Sequence, residues 1–105
     1  MARKSGANTP AIIDGVLYTN DENTTGLRLS DQATWSAWLE DNEAFYFEHK
    51  TGGFSARRQK QHYSYYWYAY KRVGGTLHKK YLGMRDSVTL TRLQDIALSW
   101  SQVAS

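Results

Sequence analysis

The residues best suited to contact chemistry fall in one stretch, Tyr63 to Gly83, which reads YSYYWYAYKRVGGTLHKKYLG. Tyr63 to Tyr70 alone holds five tyrosines and one tryptophan, and Lys71, Arg72, His78, Lys79 and Lys80 follow around Gly74-Gly75. Aromatic side chains of this kind favour strands, because wide flat groups suit a pleated surface. Paired glycines supply the positive φ that a tight hairpin turn demands. The stretch is therefore expected to be a β-hairpin with an aromatic and cationic face. Arginine and lysine neutralise phosphates, arginine also pairs with guanine edges, and tyrosines bond phosphate oxygens or stack on bases.

Catalytic constellations are missing by comparison. The chain has no cysteine, which removes thiol catalysis, disulfides and thiolate metal sites. His49, His62 and His78 do not follow a metal-ligand spacing. No nucleophile elbow, phosphate-cradling loop or dinucleotide fingerprint occurs. Glu40, Asp41 and Glu43 sit together, but neighbouring acids at a helix end are ordinarily solvated. No enzyme activity, catalytic residue, metal or cofactor is expected.

Charge sharpens the expectation. The net charge is +3, yet residues 1–49 hold three basic against eight acidic side chains, a balance of −5. Residues 50–105 hold ten basic side chains against Asp86 and Asp95, a balance of +8. Basic groups gathered in strands and turns point to a polyanionic partner. A mean hydropathy of −0.65, no apolar run near the ~20 residues of a membrane span, and no apolar stretch after Arg3 and Lys4 fit a soluble, cytoplasmic protein.

The elements that must position this stretch are readable in outline. A chain of 105 residues has room for one domain. Residues 1–29 are expected to form a flexible arm; within it residues 1–9 are disordered, and Pro10 to Tyr18 forms either a small hairpin split by Asp14-Gly15 or an arm lying on the domain. Residues 30–105 form a single α+β domain. Its first helix is capped by Ser30 or Asp31 and carries Trp35, Trp38 and Leu39 on one face, as core. Ala44–His49, Phe54–Gln59 and the central hairpin give a three- to four-stranded antiparallel sheet, with Lys60 to His62 as a connector. Leu90, Leu93, Ala97, Trp100 and Ala104 mark a C-terminal helix, capped at Thr89 or Thr91, that packs on one sheet face.

Alternation then assigns the two faces. Tyr65, Trp67, Ala69, Phe54, Ala56 and Leu82 are expected to face the helix. Ser55, Arg57, Gln59, Tyr66, Tyr68, Tyr70, Arg72, Lys79 and Tyr81 are expected to face outward. Lys71, Lys80 and Arg85 would flank that surface and contact a nucleic-acid backbone.

The blocks FSARR, YWYAYKR-VGG-LHKKYLG and TLTRLQDIA, over Phe54 to Ala97, resemble the arm-binding β-sheet modules of tyrosine recombinases from phages and transposons. Tyr81-Leu82-Gly83 is also similar to the end of the basic strand in the plant GCC-box-binding domain. That likeness implies that Lys79 and Tyr81 point at DNA and Leu82 at the helix. With Trp35-Ser36-Ala37-Trp38-Leu39 included, Trp35 to Ala97 resembles a segment of bacterial regulators of the MalT and LuxR type. These resemblances imply a bacterial DNA-binding role in transcription regulation or a mobile element. Ala44–His49 departs from the three-stranded integrase pattern, and no recombinase catalytic region follows.

The expected function is duplex DNA binding without chemistry, through the outer sheet face in the major groove. One alternative is a protein-interaction module, or a homodimer, using the aromatic face or an edge strand. Another is double-stranded RNA binding, disfavoured because only Arg92 lies at the start of the last helix.

Overall fold

A computed structural model of the chain describes residues 9–103, apart from Asp21, Asn23 and Thr51 and the side chains of residues 101–103. The disorder expected of residues 1–9 thus falls, Thr9 excepted, outside the described residues, as does Ala104 of the helical stripe.

The chain forms a seven-stranded mixed sheet with two helices on one face. Strands β1 (Ala11–Ile13), β2 (Val16–Tyr18) and β3 (Leu27–Arg28) precede helix α1 (Gln32–Asp41). Strands β4 (Ala44–Phe47), β5 (Phe54–Gln61), β6 (Ser64–Val73) and β7 (Thr76–Gly83) follow, then a 3-10 turn (Arg85–Ser87) and helix α2 (Leu90–Val103). The strand order is β3-β2-β1-β4-β5-β6-β7. All neighbours are antiparallel except β1 and β4, which pair in parallel through Ala11↔Tyr46 and Ile12↔Phe47.

This overturns the expected three- to four-stranded antiparallel sheet. The class remains a mixture of helices and an antiparallel-rich sheet, but β1, β2 and β3 belong to that sheet. Strands of two or three residues are too short for alternation to announce them. Parallel pairing also needs a crossover, here through α1, and no local signal reports which strand lies beside which. What holds the N-terminal strands in place is burial: Ile12, Leu17 and Leu29 are enclosed in the same core as the helices.

That core explains the other elements. Asp31 caps α1, accepting hydrogen bonds from the Thr34 backbone N–H at 3.4 Å and its hydroxyl at 2.9 Å. Trp35 and Trp38 stack at 5.5 Å, and Phe45 meets Trp35 edge-on at 5.4 Å. The Trp35 indole N–H donates to the Val88 carbonyl at 2.5 Å, tying α1 to the segment before α2. Thr89 caps α2 by accepting from the Arg92 N–H at 3.2 Å. Trp100 of α2 lies 5.5 Å from Phe54, and on the same sheet face the paired Ala56 and Ala69 are fully buried. Small residues there leave space for a large ring.

The long strands also differ from expectation in one consequential place. Lys60 and Gln61 extend β5, so the connector shrinks to a two-residue turn, His62-Tyr63, between Gln61 and Ser64. At the other end of this region a bulge sets Tyr81 opposite Tyr68 and Gly83 opposite Trp67. Gly83 has φ 110°, and a Cβ there would sit 2.9 Å from the Ser87 Cβ. Only glycine lets the chain leave the sheet at that point. Among the described residues no helix is long and apolar enough to cross a membrane.

Candidate nucleic-acid interface

Both helices cover the face that carries Phe45, Phe54, Trp67 and Leu82; among the described residues nothing covers the opposite face, which is bare in that sense. Strand register composes that bare face. Ser55, Tyr70 and Lys79 form one cross-strand row, and Arg57, Tyr68 and Tyr81 the next. Gln59 stands opposite Tyr66, and Arg72 opposite Leu77. Eight of the expected contact residues are thus brought together: Ser55, Arg57, Gln59, Tyr68, Tyr70, Arg72, Lys79 and Tyr81. No strand of the sheet contains an Asp or Glu, so the strand positions of this face carry no carboxylate to oppose an anion.

The side chains on this face are linked. Lys79 Nζ lies 4.2 Å from the Tyr68 ring centroid and 5.8 Å from that of Tyr70, and makes a long 3.4 Å bond to Gln59 Oε1. An ammonium only donates, so the amide oxygen must face it. Gln59 Nε2 is thereby turned to the Tyr70 hydroxyl, 2.7 Å away. That hydroxyl accepts, which leaves its own proton free to donate outward. Gln61 Nε2 donates in the same way to the Tyr68 hydroxyl at 3.0 Å. Tyr81 packs against Tyr68 at 5.4 Å and Tyr66 at 6.1 Å. The Arg57 side chain is exposed and makes no hydrogen bond or ion pair among the described residues. Arg72 makes a single 3.4 Å bond to the Gly75 carbonyl.

Three expected residues stand elsewhere. Lys80 points to the helix side, where Nζ donates to Ser99 Oγ at 2.6 Å and lies 5.5 Å from the Trp100 ring. Lys71 alternates to the same side, opposite His78 and near Gly52. Arg85 sits in the 3-10 turn, paired with Glu40 and 3.7 Å from Asp86. Alternation alone separates Lys71 and Lys80 from their neighbours Arg72 and Lys79. The Arg85 ion pair needs the tertiary fold.

Sequence reasoning also left residues out. Tyr46 and Tyr18 continue the bare face across β4 and β2, aligned through Ala11. Gln61 joins it once β5 is recognised as longer. The β7 edge is less open than its position suggests: Arg92 donates to the Tyr81 carbonyl at 2.8 Å, and Lys79 and Lys80 lie along it. Such features discourage strand addition.

A cleft of about 1070 Å³ opens beyond the end of β7, lined by Arg58, Tyr63, Tyr65, Met84, Arg85 and Arg92 among others. Glu40, Asp41 and Asp86 also line it, so its charges are mixed. Among the described residues no group of three His, Asp or Glu converges on a metal-sized site. Comparison with known proteins finds no matching family model, no similar curated protein and no similar solved structure.

Proposed function

We propose that the protein binds duplex DNA through the outer face of β5, β6 and β7, by contact alone and without catalysis or a cofactor, in the cytoplasm. The supporting observation is that face's composition: Arg57, Arg72 and Lys79 among tyrosine hydroxyls, on a sheet with no carboxylate in any strand. Arg57 and Arg72 reach phosphates or guanine edges, Lys79 neutralises a phosphate between two tyrosine rings, and the Tyr70 hydroxyl donates alongside. The bacterial regulatory or mobile-element setting rests on the sequence resemblances alone.

Anisotropy of a labelled mixed-sequence duplex, titrated at several salt concentrations, tests this. Three neutralised phosphates give a slope of log K against log salt of about −2.7. A slope near zero, or no binding at low salt, refutes the reading. Duplex RNA of the same sequence is expected to bind more weakly, because its deep narrow major groove closes to side chains.

A further inference from the structure

The bare face is too wide to enter a groove as a whole. From Tyr18 on β2 to Tyr81 on β7 it spans five strand spacings, about 24 Å. The major groove is about 12 Å wide and 8.5 Å deep, and admits a two-stranded ribbon. The fold contains two such ribbons. One is the β6–β7 end, where Lys71↔His78, Arg72↔Leu77 and Val73↔Thr76 lie beyond the last β5–β6 pair, Ser55↔Tyr70, and close at Gly74-Gly75; the other is formed by β5 and β6. The last β4–β5 pair is Ala44↔Arg57, and β7 leaves β6 at Gly83, opposite Trp67. Beyond these points Gln59↔Tyr66, Lys60↔Tyr65 and Gln61↔Ser64 pair only with each other, closed by His62-Tyr63. Three rungs and a turn project about 10 Å, close to the groove's depth.

The ribbon tip is built against its own turn preference. The sheet has two other two-residue hairpin turns, Asp14-Gly15 and Gly74-Gly75, and both contain glycine at positive φ. At the tip the positive φ of 58° falls on His62, where hairpins with one such residue take glycine. Neither side chain gains packing in return: Lys60, Gln61 and His62 are exposed, and Tyr63 is 97% exposed. Asp14 also takes a positive φ, 54°, but shares its turn with Gly15; at His62 the turn holds no glycine at all, which points to function at that position. Four consecutive residues present an ammonium, an amide, an imidazole and a phenol at this protrusion, whereas the turn of the β6–β7 ribbon, Gly74-Gly75, carries no side chain. Arg58 braces the base, donating to the Glu40 carbonyl at 2.8 Å and lying 4.1 Å from the Tyr65 ring.

We infer that the β5–β6 ribbon tip, Gln59 to Tyr66, is the element that enters the major groove. Lys60, Gln61, His62 and Tyr63 meet base edges there, while Arg57 and Lys79 hold the flanking backbone. This rests on the DNA-binding reading above and names the part of the duplex that the site takes.

The test pairs a variant with a modified duplex at pH 8. His62→Gly combined with Tyr63→Asn gives the turn its preferred residues, so the protein folds with an equal or higher Tm. Its duplex affinity is expected to fall at least fivefold while the salt slope stays within half a unit of wild type. Methylation of guanine N7, which projects into the major groove, is expected to weaken wild-type binding at least fivefold; a minor-groove ligand such as netropsin leaves it intact. If wild type ignores N7 methylation, or the double variant binds like wild type, the ribbon assignment is wrong while the face reading stands. If wild type binds no duplex at low salt, both fall.

Discussion

Lys79 and Lys80 are adjacent in sequence and do different work. Lys79 stands over the Tyr68 ring on the bare face, and Lys80 is bonded to Ser99 of α2. Lys79→Gln is expected to weaken duplex binding and flatten the salt slope by about 0.9, with little change in stability. Lys80→Gln is expected to keep the slope and lower stability by about 1 kcal/mol, through the lost part-buried hydrogen bond and ring contact. Anisotropy and urea unfolding on both variants separate the two roles. An equal loss of slope in each would show that side assignment by alternation fails here.

Two joints decide how the elements meet. Trp35 fills the core between α1 and Phe45 and satisfies the Val88 carbonyl. Trp35→Phe removes the donor and part of the volume, and is expected to cost about 2–4 kcal/mol in denaturant unfolding. Gly83 turns the chain out of β7 at φ 110° against Ser87. Gly83→Ala adds backbone strain of about 1–2 kcal/mol and a close contact, so a loss of about 2 kcal/mol or more is expected by the same measurement. A neutral Gly83→Ala would mean that the chain leaves the sheet by another path.

For the molecule as a whole, the N-terminal strands matter more than their length suggests. Ile12, Leu17 and Leu29 are each at most 2% exposed. Burying such side chains is worth about 1.5–3 kcal/mol each, which together rivals the about 5–15 kcal/mol stability of an entire domain. A chain cut to residues 30–105 is therefore expected to lose cooperative unfolding and its near-UV circular dichroism. If that fragment melts like the intact protein, β1, β2 and β3 are dispensable.

Local patterns were enough to specify the two helices, to narrow each cap to two residues, and to place the buried Trp35, Trp38 and Trp100 and the faces of β5, β6 and β7. These follow from periods of 3.6 and 2, which a single stretch of chain carries within itself. The width of the sheet, the parallel β1–β4 pair, the Arg85–Glu40 ion pair and the ribbon left standing beyond β4 and β7 were decided only by tertiary structure. Each depends on segments far apart in the chain meeting, and sequence spacing holds no record of such meetings. Where β7 stops beside β6 is set by a bulge and by the closeness of Ser87, and that stop leaves the β5–β6 tip standing as a two-stranded ribbon.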